Sequence, residues 1–505
     1  MKNQTKDYRL VLLLILAGLL IFSNLGNIYL WQDEAGTAFI AKNILKFGLP
    51  LAYDGVNKPQ TMEIYQQSSP EGWYRQPYRY APWLSFYITA ASFKLLGANT
   101  FTARLPFAVF GLFSLVLIWR LAEAIFHNRS IAFLATLASV ISIPYILHLR
   151  QCHWFSLAAF FTLWSLLAYL EMLAKTRGAA PGLTVAGILL FHSNHGVFIP
   201  VFAAIALHYF IWGRKELAIT ALVGPAVLIG IFTTPFLYFL SGKEFTASFN
   251  AVNVRHQIEF YFRMLNKWIF PCVALFNIWL LGSLIRRRWK WFLKDQPSGV
   301  YLLLCVVFAT LAFLILPKVR SFSYLTHLIP LLMILEARII YGWMKFSKPL
   351  AAIGAAALLL TNFFTMGAPF AKPLRIMPLE FIAEITHDYD GPVEGIVTYL
   401  REHAKAGDVV KINYGDLPLM FYTGLEVDNR DFRANRTFPE WIVYRRNWVG
   451  GDFFESDYGK EVLARYEKIV LDYPDIIWQN RPDPNEHKFR TVTEAPKLEI
   501  YKRKR

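Results

Sequence analysis

Long apolar runs leave this chain little choice of fold. A helix rises 1.5 Å per residue, so about 20 apolar residues cross a hydrocarbon core roughly 30 Å thick with every backbone hydrogen bond closed inside the segment. Such runs sit near residues 9–31, 104–126, 131–149, 153–173, 217–240, 264–285, 299–316, 321–342 and 349–366. Residues 181–212 are too long for one helix and are interrupted by Phe191-His192-Ser193-Asn194-His195-Gly196, which predicts a broken pair and brings the expected crossings to about eleven. The composition agrees: 55% hydrophobic and 17% charged residues over a length of 505 exclude a soluble enzyme and an intrinsically disordered chain. The 42 Phe, 25 Tyr and 15 Trp suit a lipid-facing surface with interfacial aromatic belts.

A net charge of +16 could signal nucleic acid, but its distribution gives the topology of a membrane protein instead. If the apolar stretch 82–97 lies flat at the interface, the clusters at Arg129, Lys175/Arg177, Arg214/Lys215, Arg286–Arg288/Lys290 and Lys345/Lys348 all share the side of Lys2, Lys6 and Arg9. That side is then cytoplasmic, and the C-terminus lies outside a cell inner membrane. Residues 82–97 are therefore read as an interfacial helix anchored by Tyr80, Trp83 and Tyr87, and the N-terminal run as a retained anchor. Cys152, Cys272 and Cys305 fall in or beside apolar segments, so no disulfide framework is expected.

The expected organisation is a first transmembrane helix within 1–31, a large outer loop 32–103 and a transmembrane core 104–240. A second outer loop 241–263, further transmembrane helices in 264–370 and a small α/β domain in 371–505 follow. In that domain the periodicity predicts helices at 391–403 and 461–470 and strands at 409–414, 476–478 and 498–501. It carries no glycine-rich phosphate loop and no metal-ligand spacing.

The segment most able to carry chemistry follows the first helix: Trp31-Gln32-Asp33-Glu34-Ala35. Asp33 stands where a helix N-cap belongs, Ile40, Ile44 and Leu45 form an apolar stripe against Lys42, Asn43 and Lys46, and Gly48 with Pro50 ends the run. A juxtamembrane amphipathic helix over 33–47 would thus hold two carboxylates at the membrane boundary. Arg79, Arg104, Arg150, Arg255, Lys318 and Arg320 all map to the outer side, against the positive-inside bias. Cations there either reach for lipid headgroups or serve an anionic ligand. His192 and His195 have helical spacing but no accompanying carboxylate, so no metal or other cofactor is expected.

The order of first helix, Asp33-Glu34-Ala35, amphipathic helix, Tyr80-Ala81-Pro82-Trp83 and then Arg104-Leu105-Pro106 opening the second helix resembles the membrane-embedded GT-C glycosyltransferases. The protein O-mannosyltransferases and the lipid A aminoarabinose transferases are the nearest groups. The resemblance implies a polytopic helical fold with outer juxtamembrane helices and a metal-independent transfer of one sugar from a polyprenyl-phosphate donor to a lipid, glycan or protein acceptor. It places the base at Asp33, with Glu34 beside it, and matches the family's Arg-x-Pro with Arg104 and Pro106. Where many bacterial relatives have Thr-Lys-Gly in the broken helix pair, this chain has Ser193-Asn194-His195-Gly196.

The chemistry needs such residues on its own terms. An inverting displacement requires one base for the acceptor hydroxyl, whereas retention by double displacement would want a second carboxylate about 5 Å away. Departure of a phosphate is helped by fixed cations, for which Arg79, Arg104, Arg150, His195, Lys318 and Arg320 are the candidates. The expected partners are the lipid-linked donor, the acceptor and membrane lipid, with no nucleic acid. Two other readings remain open from sequence, a transporter or lipid-linked-sugar flippase and an assembly protein that recruits a partner. The topology predicts that cysteine-accessibility labelling places Gln296 inside and Thr423 outside; finding both on one side would contradict it.

Overall fold

The computed structural model describes residues 7–59, 62, 72–237, 251–271, 298–315, 320–365, 375–429, 438–446, 451–477, 480–490, 492 and 495–504. Cys272, the Arg286–Lys290 cluster, Gln296 and Lys318 lie outside the described residues. The chain divides into two compact units, Met1–Ser23 with Phe107–Phe381, and Asn24–Pro106 with Ile382–Arg505.

Numbered in chain order, the helices are α1 Tyr8–Phe22, α2 Gln32–Phe47, α3 Leu84–Leu96, α4 Thr100–Phe126, α5 Arg129–Ile141, α6 Ile143–Leu149, α7 Phe155–Leu173, α8 Ala179–Ser193, α9 His195–Ile211, α10 Thr220–Leu237, α11 Ala251–Trp268, α12 Ser298–Leu314, α13 Ile329–Phe346, α14 Lys348–Phe363, α15 Met377–Thr386, α16 Pro392–His403, α17 Asp416–Thr423 and α18 Asp457–Ala464.

The first unit is a helical bundle, as a chain of apolar runs requires. Among the described residues α4 and α7 are long and apolar enough to cross a bilayer alone, and α5 with α6 passes the same test as a pair bent by 73°. That bend corrects the single helix expected over 131–149. Ser142 ends α5 and begins α6, and Pro144 occupies the first turn of α6, where its missing N–H costs nothing. The break at Asn194 falls where expected, with its side chain accepting from the Val197 N–H at 3.1 Å. The first helix is shorter than the run 9–31, ending at Phe22. Just beyond it Asn24 takes a left-handed φ of 52° and donates to the carbonyls of Glu384 and His387. Within the segment read as a second outer loop, residues 251–263 belong to the amphipathic helix α11, where Arg255 pairs with Glu259 at 2.8 Å one turn on. The remainder, 241–250, lies outside the described residues.

In the second unit α2 and α3 pack together. With 13 residues α3 rises about 20 Å, short of a hydrocarbon core. The apolar stripe of α2 differs from the reading in two places. Asn43 is buried and donates to the Leu51 carbonyl at 2.8 Å, while Leu45 is exposed. Gly48, at φ 79°, closes α2 in the left-handed conformation that favours glycine.

The rest of this unit is a five-stranded sheet in the order β4-β3-β5-β7-β6, formed by β3 Val409–Ile412, β4 Glu426–Asp428, β5 Trp441–Tyr444, β6 Tyr466–Pro474 and β7 Lys497–Arg503. The first three strands pair in parallel and the last two join antiparallel. A separate two-residue ladder, β1 Phe364–Thr365 with β2 Arg375–Ile376, belongs to the first unit. Helix α16 and strands β3 and β7 fall close to their expected places. The helix expected over 461–470 does not: α18 ends at Ala464, and 466–474 extends to pair with β7, because ladder bonds to a neighbouring strand outweigh a local helical period. No strand forms at Ile476 and Ile477, and Trp478 lies outside the described residues.

The free edge of β4 is covered by Asn57, which accepts from the Val427 N–H at 2.8 Å and donates to the Leu425 carbonyl at 3.1 Å. Just beyond β5 and β6, Arg445 and Asp475 form a fully buried ion pair at 2.6 Å, and the same carboxylate accepts from the Arg446 N–H at 2.9 Å. Removing one member of such a pair strands a charge away from water. Asp475→Ala should therefore cost about 3–5 kcal/mol and lower the thermal midpoint of the intact chain; an unchanged midpoint would contradict this packing.

Candidate active site

The two carboxylates singled out in the sequence lie in the first turn of α2, and the residues before it explain how that turn is held. Tyr29 stacks on Tyr422 with ring centroids 4.0 Å apart, and the Leu30 N–H donates to the Tyr422 hydroxyl at 2.9 Å. The same hydroxyl lies 2.7 Å from that of Thr100. The backbone is thereby kept extended through Trp31, which becomes the helix N-cap, with its carbonyl accepting from the Ala35 N–H at 2.8 Å. This corrects the position read for Asp33. It is not the cap but the second helical residue, still within the turn where exposed N–H groups favour a carboxylate.

The two adjacent carboxylates turn to different surroundings. Glu34 is fully buried and is gripped by Arg104, whose Nε reaches Oε1 at 2.8 Å and whose Nη2 reaches Oε2 at 2.7 Å. Arg104 Nη1 donates to the carbonyls of Leu25 at 3.0 Å and Ile28 at 2.8 Å. Arg104, a candidate for a donor phosphate, directs these hydrogen bonds into the protein, where they tie the start of α4 to the segment entering α2.

Asp33 keeps an exposed side chain, yet dense protein around it withholds much of the bulk water. That desolvation pushes its carboxyl up to about 6; the Arg481 guanidinium pulls the other way, and the Glu34 carboxylate adds to the rise.

Arg481 is the residue that sequence reading missed. It lies in Asn480-Arg481-Pro482-Asp483, packs 5.9 Å from the Trp31 ring centroid and contacts Glu486 at 3.2 Å. Only a Pro-rich loop marked it, and nothing in a linear pattern links that loop to α2.

The remaining candidates are placed as follows. Arg79, also in the second unit, donates to Gln76 at 3.3 Å. In the first unit Arg150 is buried, donates to the Leu20 carbonyl at 2.8 Å and faces the Phe381 ring at 5.5 Å. His195 opens α9 with its ring 4.3 Å from that of Phe191, and His192 bonds to the Phe232 carbonyl at 3.1 Å. Arg320 is exposed. Among the described residues no group of three or more His, Cys, Asp or Glu has metal-binding geometry.

The inward ion pair and the accessible Asp33 predict opposite responses to substitution. Arg104→Ala leaves the Glu34 carboxylate buried without its main partner and should cost about 3–5 kcal/mol, read as a lower thermal midpoint. Asp33→Asn removes a carboxylate held against desolvation and should leave the midpoint unchanged or raised. Equal behaviour of the two variants would contradict the division of roles.

No protein-family model matches the chain, and no curated protein matches it in sequence. Solved structures do match. ArnT from Cupriavidus metallidurans, bound to undecaprenyl phosphate, is 15% identical with a TM-score of 0.54, covering 83% of this chain and 84% of ArnT. The oligosaccharyltransferase AglB from Archaeoglobus fulgidus, in complex with an inhibitory peptide and a dolichol-phosphate, is 12% identical with a TM-score of 0.51, covering 93% and 70%. The arabinofuranosyltransferase AftD from Mycobacteria is 14% identical with a TM-score of 0.51, covering 98% of this chain but 40% of AftD. All three are GT-C glycosyltransferases. The chain has the fold that these GT-C enzymes share.

Proposed function

We propose that this protein is a membrane glycosyltransferase that moves one sugar from a polyprenyl-phosphate carrier to a hydroxyl acceptor, with Asp33 as the general base. The observation that carries this reading is the accessible Asp33 carboxylate at the start of α2, poised near 6 beside a second carboxylate already bound to arginine, within a GT-C fold. Two of the structural neighbours, ArnT and AglB, bind undecaprenyl phosphate and a dolichol-phosphate respectively, which favours a polyprenyl-phosphate donor here.

In the proposed step the acceptor oxygen attacks the anomeric carbon and its proton passes to Asp33. The bond from that carbon to the phosphate oxygen breaks, and its electron pair leaves with the polyprenyl phosphate. One base and one displacement give inversion. Glu34 is poorly placed to act as a second nucleophile, since both of its oxygens are bonded to Arg104. Its role is structural, bracing the turn that carries Asp33, and Arg104 acts through it. Departure of the phosphate calls for a fixed cation, a part for which Arg79, in the same unit as Asp33, is a candidate. No metal or other cofactor is needed for this step.

Asp33→Asn keeps the shape of the side chain and removes the base. Turnover should fall by a factor on the order of 10² to 10⁴ while the chain stays folded. In the unaltered enzyme the rate should decline as pH falls through about 6, because protonated Asp33 cannot accept the acceptor's proton. Transfer by Asp33→Asn within a few-fold of the unaltered protein would overturn the assignment.

A further inference from the structure

The segment from Asn480 to Phe489 is far more constrained than an ordinary connection. The Asn480 amide donates to the Tyr29 carbonyl, two residues ahead of the α2 cap. His487 is buried, with Nε2 2.6 Å from a Glu384 carboxylate oxygen and Nδ1 3.0 Å from the carbonyl of Arg481 itself. The next buried residue, Phe489, packs its ring 4.4 Å from that of His487 and holds a left-handed φ of 60°. A bulky residue rarely holds that conformation and keeps it only where its surroundings over-determine it. These ties fix the loop at both ends, and what it presents between them is one guanidinium, set against Trp31 two residues before Asp33.

We propose that Arg481 is a positioning residue for the proposed base: it keeps Asp33 in its ionised, proton-accepting form, so that the 480–490 loop completes the site that α2 begins. This inference rests on the reading of Asp33 given above. The groups around the carboxylate leave Arg481 in that part. Glu34 repels ionisation, and the charge of Arg104 is spent on Glu34. Asp416, reached by Gln32 at 2.6 Å, is itself an acid bonded to Asn429. With its guanidinium set against Trp31, Arg481 is, among the described residues, a cation placed to act on Asp33, and the crowding of protein around the carboxyl makes its field count. Glu486, with Asp483 and Lys488 near it, modulates that field from the loop side.

Two substitutions then act with opposite sign. Arg481→Gln removes a charge that favours the carboxylate, so the acid limb of the rate profile should move up by about one pH unit. Glu486→Gln leaves Arg481 less compensated and should move the limb down. Arg481→Lys keeps the charge and should move it least. A loop that merely held the fold together would lower turnover without displacing the limb in either direction.

The same inference can be read without activity. In a chain with Cys152, Cys272 and Cys305 replaced by alanine, Asp33→Cys installs a thiol whose alkylation by iodoacetamide reports its ionisation. Arg481→Gln should raise the pH at which that thiol becomes reactive, and Glu486→Gln should lower it. If the thiol responds in this way but no polyprenyl-phosphate sugar is transferred, the placement of Arg481 stands and the transferase reading fails. If neither the limb nor the thiol moves in correctly folded variants, the role of Arg481 is wrong. Should Arg481→Gln not fold, Glu486→Gln decides alone: a downward shift supports the proposal and no shift overturns it.

Discussion

Much of the second unit depends on a buried ion pair that joins parts of the chain far apart in sequence. Glu34 and Arg104 meet through two short hydrogen bonds, and Arg104 also takes up carbonyls of the segment that leads into α2. Two ions removed from water are stable only when nearly every donor and acceptor is used. That requirement fixes the start of α4 against the start of α2. Tyr422 adds a second brace through its stacking on Tyr29 and its hydroxyl contacts with Leu30 and Thr100. The rigid turn that results is what allows an adjacent carboxylate to be placed without itself being tied down.

Asp33 is expensive by comparison. Crowding by protein disfavours its charge, the neighbouring glutamate disfavours it further, and a purely structural site would place a neutral side chain there. A base in a proton transfer needs that compromise, ionised near neutrality yet still basic enough to accept a proton. A carboxyl near 6 meets it. Under the proposed reading, the binding of both Glu34 oxygens to Arg104 is why two adjacent acids need not imply a double displacement.

Sequence patterns revealed the parts of this molecule that are locally determined. The break at Asn194, the helix ending at Gly48, the helix 392–403 and the strand from Val409 each follow from caps, turn residues and periodicity within a dozen neighbours. What patterns could not show depends on distant partners. Residues 466–470 read as helical until β7 supplies a ladder, and Asn43 reads as polar and exposed until Leu51 offers its carbonyl. Arg104 showed itself as an outward cation because Glu34 lies 70 residues away in sequence. The loop bearing Arg481 is more remote still, with Asn480 and Tyr29 separated by 451 residues. Asp33 was legible as a candidate from its spacing after the first helix, but its surroundings were not.

The most direct measurement is the anomeric configuration of the product formed by purified protein from a polyprenyl-phosphate sugar and a hydroxyl acceptor, followed by NMR. A single displacement with Asp33 as the base and Glu34 locked to Arg104 predicts a transferred sugar of inverted configuration. A product of retained configuration, or no transfer from any polyprenyl-phosphate sugar, would contradict it.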